Sequence, residues 1–165
     1  MKPELTILKI GGNVLDEPAV LNEVLLDFAN LNGAKILVHG GGKLATRLAE
    51  KLGIEAKFHE GRRITDEAML EVAVMSYAGW INKSIVAKLQ SLGLAAIGVS
   101  GADGNLILSK KRLVKAIDFG FVGDVENVNS DGLTRLLGAG FFPVFAPITH
   151  DGNGQLLNTN ADTIA

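Results

Sequence analysis

The chain has 165 residues, 47% of them apolar and 21% charged, with a formal net charge of −2. That length and balance describe one globular domain and exclude a disordered chain, and the scattered charges form no basic stripe of the kind that binds nucleic acid. Cysteine is absent, which excludes disulfides, thiolate metal sites and thiol catalysis and fits a reducing, cytoplasmic compartment.

Leu5 to Ile10 is short, rich in β-formers and closed by Gly11-Gly12, so it reads as a buried strand. It is too short for a signal peptide or a membrane span. Glu17 to Leu31 reads as a helix, with Val20, Val24, Leu25, Phe28 and Leu31 at helical spacing and Pro18 in the first turn. Ala34 to Val38 is a second strand, ended by Gly40-Gly41-Gly42. A short helix from Lys43 to Leu52 stops at Gly53. Two strands, each followed by a glycine turn and a helix, argue for a parallel sheet with right-handed crossovers.

Residues 54–64 read as an extended or hairpin segment with a tight turn at Glu60-Gly61. Thr65 is the expected N-cap of a long helix that runs to about Gln90 and bends at Gly79. Met69, Val72, Ala73, Met75, Ser76 and Trp80 give this helix more apolar surface than one stripe needs. It reads as part of a homodimer interface, or else packs its second face on the following hairpin. Ala95 to Val99 is another strand, followed by the turn Gly101-Ala102-Asp103-Gly104. Residues 105–126 alternate as a charged hairpin. Ser130 is the expected cap of a helix ending at Gly138, Phe142 to Ala146 a further strand, and Gln155 to Asn158 the last, after a turn at residues 151–154. The fold class is α/β: a three-layer αβα sandwich with a mainly parallel central sheet.

Four motifs carry the chemistry. Lys9 stands at the end of a buried strand, where a lysine is costly unless it faces a cleft. Ligands of open α/β sheets bind at the carboxyl ends of strands, so Lys9 could meet a phosphate beside the free N–H groups of Gly11 and Gly12. The plainer reading is a snorkelling lysine before a turn. Gly40-Gly41-Gly42 lets the backbone approach an anion at a helix N-terminus, or serves only as a tight turn. It is no Walker loop, since Leu37 and Leu44 occupy positions that need glycine and Ser or Thr. Ala45 likewise breaks the dinucleotide fingerprint. Arg62-Arg63 beside a glycine turn suits bidentate grip of a carboxylate, or is a solvated surface pair. Asn158, Asn160 and Asp162 alternate, so a continuous strand would carry all three on one face, lining a cleft or meeting a partner such as Lys9. His39, His59 and His150 have no metal-ligand spacing and are read as structural or surface groups, and no metal site is expected. Gly98-Val99-Ser100-Gly101 fails as a nucleophile elbow because Ala102 follows.

As a set, Leu8-Lys9-Ile10-Gly11-Gly12, Val38-His39-Gly40-Gly41-Gly42, Gly61-Arg62-Arg63-Ile64-Thr65 and Leu157-Asn158-Thr159-Asn160-Ala161-Asp162 resemble the amino acid kinase family. The third and fourth motifs resemble its N-acetylglutamate kinases most. The resemblance covers the whole chain but only the N-terminal two-thirds of the family's enzyme. It implies that residues 1–165 are the amino-acid-substrate-binding domain. The ATP-binding C-terminal domain, which would hold most of the ATP and Mg2+, is expected to be absent from this chain, leaving the chain alone nearly inactive.

The implied reaction is ATP-dependent phosphorylation of the γ-carboxylate of N-acetyl-L-glutamate, in arginine biosynthesis. By resemblance, Lys9 neutralises the transferring phosphoryl group and Asp162 orients Lys9. Gly11, Gly12 and Gly41 offer N–H groups to phosphoryl oxygens. Gly41, Gly42, Arg63 and Asn158 hold the acceptor, Arg63 through its α-carboxylate. The family's members pair as homodimers through the long helix. Arg62 stands where other members often carry a nonpolar residue, which would suit a more acidic acyl group such as N-succinyl. The remaining readings are a related kinase with another acceptor and a non-catalytic small-molecule-binding module. No nucleic-acid or membrane partner is expected.

Overall fold

The computed structural model describes residues 4–165. In chain order, β1 (Leu5–Ile10) leads into α1 (Gly12–Asp16) and α2 (Pro18–Asn30), then β2 (Ala34–His39) and α3 (Gly42–Lys51). A small hairpin, β3 (Phe58–His59) and β4 (Arg62–Arg63), precedes α4 (Glu67–Val74), a π-helical segment (Met75–Ile81) and α5 (Asn82–Ser91). There follow β5 (Ala96–Val99), a 3-10 turn (Asp103–Asn105), β6 (Ile107–Lys111), β7 (Val122–Val128) and α6 (Ser130–Gly138). The chain continues through β8 (Phe142–Phe145), β9 (Ile148–His150), β10 (Leu156–Thr159) and α7 (Ala161–Ile164).

The central sheet has four parallel strands in the order β1-β2-β8-β5. Alternation along β2 shows how it is covered. Leu37 joins one core with residues of α2 to α5, whereas Ile36 and Val38 join another with Phe145, Leu106 and the partly buried α6 residues Leu133 and Leu136. Period two therefore places helices on both faces, which is the three-layer arrangement. A feature that the alternation of residues 105–126 does not disclose is a closed four-stranded ladder, β10-β7-β6-β9, beside the sheet. It pairs the expected hairpin, β6 with β7, to two strands from the C-terminal segment.

Local expectations fail where a tertiary contact claims the residue first. Thr65 does not cap α4. Its N–H donates to Phe119 O at 2.9 Å and its carbonyl accepts from Phe121 N at 2.7 Å, so its backbone is committed to a bridge. Asp66 caps instead, accepting from Met69 N at 2.9 Å. Likewise Asn129, not Ser130, caps α6 by accepting from Gly132 N at 2.9 Å. The long helix is continuous in direction of chain but π-helical over Met75–Ile81, with Gly79 inside the wide turn. Lys35 at the start of β2 is buried, yet its ammonium donates to Ala29 O and Leu31 O, both at 2.7 Å, where α2 leaves carbonyls unpaired.

Leu37 lies at the centre of the sheet with no exposed surface. Leu37→Ala is expected to lower the unfolding free energy by about 2–5 kcal/mol, the range for a buried leucine whose cavity does not collapse. Urea denaturation checks this, and a loss below about 1 kcal/mol would mean that the surrounding core of α2 to α5 relaxes into the space.

Candidate active site

β1 and β2 end at the same level. Their register runs from Leu5 opposite Ala34 to Ile10 opposite His39, and Gly40 N donates to Ile10 O at 3.0 Å. The two glycine turns consequently leave the sheet side by side. Neither following helix has a side-chain cap: Gly11 precedes α1 and Gly41 precedes α3. The N–H groups of Gly11, Gly12 and Gly41 take no hydrogen-bond partner among the described residues. Unpaired amides at a helix N-terminus are groups that can bind an anion.

An ion-pair cluster clamps the two turns. Asp16, at the end of α1, meets Lys43 Nζ at 3.1 Å and Arg47 Nη2 at 3.2 Å on α3, and Lys43 also donates to Asn13 Oδ1 at 3.2 Å. The hydrogen bond from Lys43, followed by the charges of Lys43 and Arg47, holds the Asp16 carboxyl below its usual range against the opposing effect of burial. Nothing in the sequence spacing pairs Asp16 with Lys43, because the contact depends on the packing of α1 against α3.

Lys9 Nζ pairs with Asp162 Oδ1 at 2.8 Å and lies beside Gly11. The pair forms as expected, but not by the expected geometry. Asn158, Asn160 and Asp162 do not share one strand face, because β10 ends at Thr159. Asn160 turns into the N-cap of α7, accepting from Asp162 N at 2.7 Å and Thr163 N at 3.2 Å. That cap turns the chain into α7, whose first turn carries Asp162 to Lys9.

The remaining predicted residues meet in a cavity of about 310 Å³ lined by Gly42, Arg63 and Asn158, together with Phe58, Tyr77 and Arg112. Arg63 donates to Gly42 O at 2.8 Å and Thr46 Oγ1 at 2.9 Å, and stacks over Phe58 at 4.6 Å. It is thereby held across from the β3–β4 hairpin to the start of α3. Asn158 donates to Thr65 Oγ1 at 3.0 Å, which is the use that Thr65 finds for its hydroxyl. Arg112 is anchored on Asp124, with Nε 3.1 Å from Oδ1. Arg62 lines the same cavity and makes no ion pair among the described residues. Gly41 stands behind this cavity, against Ile81 and Tyr77, and borders a separate apolar cleft with Trp80. Neither Tyr77 nor Arg112 is marked as a site residue by the sequence: Tyr77 reads as an interface aromatic of the long helix but is buried against the cavity, and Arg112 reads as a solvated hairpin charge. The Ser100 hydroxyl donates to Asp103 Oδ2 at 2.7 Å within a tight turn.

The sequence model of the amino acid kinase family matches residues 4–165. This chain belongs to the amino acid kinase family. The acetylglutamate kinase of Phocaeicola vulgatus is 58% identical over 165 residues, covering 100% of this chain and 64% of that protein. The acetylglutamate kinase of Cytophaga hutchinsonii is 57% identical over 163 residues, covering 98% and 62%. The chain thus spans less than two-thirds of the length of these curated relatives, and matches their N-terminal portion. Among solved structures, smu.665 from Streptococcus mutans superposes with a TM-score of 0.81 at 23% identity, covering 98% of this chain and 65% of that one. N-acetylglutamate synthase from Neisseria gonorrhoeae gives 0.79 at 23% identity, covering 95% and 36%. At such identity these structures support the amino acid kinase fold and nothing finer.

His39 supplies a pH prediction. Burial lowers its pKa to about 4, with a hydrogen bond to Gly40 working the other way. Between that value and the unfolded value near 6.5 the unfolded chain binds the extra proton. This contribution to stability is therefore complete above about pH 6.5 and is lost as pH falls towards 4, at up to about 1.4 kcal/mol per pH unit. Urea midpoints from pH 7 to pH 4 check it. His39→Gln should flatten that slope relative to the parent chain, and an unchanged slope would place the titration elsewhere.

Proposed function

We propose that this chain is the acceptor-binding part of an acetylglutamate kinase. The reaction is transfer of the γ-phosphoryl group of ATP to the γ-carboxylate of N-acetyl-L-glutamate, in arginine biosynthesis. The observation that carries it is the Lys9–Asp162 pair beside unpaired glycine amides, with Arg63 fixed in the adjoining cavity. The identities to curated acetylglutamate kinases support it. A carboxylate oxygen bonds to phosphorus as the bond from phosphorus to the ADP oxygen breaks. The nucleophile is already ionised at neutral pH, so no general base is needed. Catalysis then rests on positioning and on charge placed where the transferring oxygens lie.

In this reading Lys9 neutralises the transferring group, and Asp162 fixes the Lys9 ammonium. Gly11, Gly12 and Gly41 donate N–H groups to phosphoryl oxygens. Arg63 grips the acceptor's α-carboxylate, and Asn158, Gly41 and Gly42 bound the rest of it. The phosphate end of ATP fits the glycine turns present here. Its base and sugar would be held by residues outside this chain, as the greater length of the relatives suggests. Among the described residues no group of three or more acidic or histidine side chains could hold a metal ion, so no step is assigned to Mg2+. A cytoplasmic site fits a water-soluble substrate and a cysteine-free chain. Among the described residues no helix is long and apolar enough to cross a membrane.

One observation favours a second acceptor. Arg62 and Arg112 line the acceptor cavity and continue into a wider cleft that also holds Lys110 and Lys115. Arg62, which makes no ion pair among the described residues, adds a positive charge beyond the one that Arg63 offers an α-carboxylate, so an N-acyl group ending in a carboxylate, as in N-succinyl-L-glutamate, is the alternative. Hydroxylamine trapping of the acyl phosphate, with the complete gene product and each acceptor, decides between them. Product from neither acceptor would support a non-catalytic binding module.

Lys9→Ala in the complete gene product is expected to lower kcat by about 10²–10³ with little change in acceptor KM, the pattern of a charge used in the transition state. Arg63→Ala should weaken acceptor binding by about 2–5 kcal/mol, and Arg62→Ala much less if the acyl group is acetyl. Equal losses from both arginines with N-acetylglutamate would reassign the carboxylate grip.

The homodimer reading draws on the exposed face of the π-helical segment. Trp80 is 72% exposed and Met75 49%, so neither packs on the β6–β7 hairpin. Interfaces between copies favour such aromatic surface. Light scattering at tens of micromolar is expected to give a dimer that Trp80→Glu dissociates. A monomer in both proteins would end the reading.

A further inference from the structure

His39 has no part in the function proposed above, yet it is fully buried directly before the second glycine turn. Its Nδ1 lies 2.8 Å from Gly40 O. A carbonyl only accepts, so Nδ1 carries the ring proton. Nε2 is then an acceptor, and Asn82 Nδ2 donates to it at 3.2 Å while also donating to Val144 O at 2.9 Å. Lys83 Nζ donates to Asn82 Oδ1 at 3.2 Å, which keeps the carboxamide nitrogen turned towards the ring. Gly98 leaves the room for this arrangement, since a Cβ there would collide with Asn82 Oδ1 and Lys83 Nζ. The neutral imidazole thus has both nitrogens satisfied and a single tautomer.

The consequence lies one peptide further on. A trans peptide holds its carbonyl and its N–H on opposite sides. With the Gly40 carbonyl drawn to the ring, the Gly41 N–H of the same peptide points away from it. Gly41 is buried at φ 145°, and its N–H takes no partner among the described residues. A buried amide without a partner is costly and calls for a ligand. The peptide is flanked by two glycines, so no side chain prevents it from turning over. Only a specific bond can choose its orientation.

We propose that His39 is a positioning residue that locks the Gly40–Gly41 peptide so that the Gly41 N–H is presented to the phosphoryl oxygens. The proposal rests on the kinase reading for its ligand, but not for the orientation of the peptide.

Two substitutions separate this role from simple core filling. His39→Asn places an amide nitrogen where Nδ1 stood and keeps a donor for Gly40. His39→Gln places its amide nearer the Nε2 position, keeping a partner for Asn82 and losing the donor. In the complete gene product His39→Gln is expected to lower kcat by about 10–10²-fold with acceptor KM nearly unchanged, whereas His39→Asn should hold kcat within about 3-fold. Equal falls in kcat that track thermal stability would overturn the proposal. Crystal structures of both variants test it without any assay. The Gly40 carbonyl should still face residue 39 in His39→Asn and be turned over in His39→Gln, and an unturned peptide in the latter overturns the proposal. An inactive parent enzyme would sink the kinase reading and leave these structures to decide the peptide. Should His39→Gln not fold, the parent chain labelled with 15N-glycine decides: inorganic phosphate is expected to shift the Gly41 amide, and an unmoved Gly41 signal overturns the proposal.

Discussion

The pairing of β1 with β2, Leu5 opposite Ala34 through Ile10 opposite His39, sets the level at which both glycine turns leave the sheet. A slip of one residue would reverse every side chain of β2, sending Leu37 into the core of Ile36 and Val38. The Gly40 N–H bond to Ile10 O extends the ladder into the turn itself, so the register is still enforced where the ligand would sit. The Asp16 cluster repeats the constraint one layer out, joining the helices that follow the two turns. An anion held between two amide-rich turns needs their separation fixed more than it needs any one side chain, and three independent contacts fix it.

The interior of this molecule is less apolar than its composition suggests. Lys35, His39, Asn82, Thr149 and Thr159 are buried, and each has partners: Lys35 on helix-end carbonyls, Thr149 Oγ1 on Thr159 Oγ1 at 2.7 Å, His39 on Gly40 and Asn82. Buried polar groups that are fully paired specify one arrangement, because any repacking would strand a donor or an acceptor. Those around His39 and Thr159 stand at the carboxyl end of the sheet or beside it, where the backbone must adopt a shape that apolar packing alone would not choose.

Charge is distributed unevenly in a chain that is slightly acidic overall. Arg62, Arg63 and Arg112 converge on one cavity, with Asp124 bonded to Arg112 at its edge. Arg112 and Asp124 are held in their charged forms chiefly by the hydrogen bond between them, the arginine pushed up and the carboxyl down. The cavity therefore stays positive across neutral pH and suits a small polyanionic ligand.

The sequence determined the parallel strands, the turns after them and the chemistry offered at their ends. Short apolar runs closed by glycine are local signals, and Lys9, Gly11, Gly12, Gly41 and Gly42 stand within or beside such runs, while Arg63 follows the glycine turn at Gly61. It also pointed to Asp162 as a partner for Lys9, though for a reason of strand alternation that the cap at Asn160 replaces. What only the tertiary structure decided depends on residues far apart in sequence. Thr65 was lost as a cap because the loop at residues 119–121 claims its backbone. The closed ladder required strands from both ends of the C-terminal segment to meet. Tyr77, Arg112 and His39 gained their places from neighbours 14 to 46 positions away, such as Arg63, Asn158 and Asn82. Local free-energy preferences choose elements residue by residue, but a hydrogen-bonding group commits to whichever partner folding brings within reach, and no spacing along the chain records that choice.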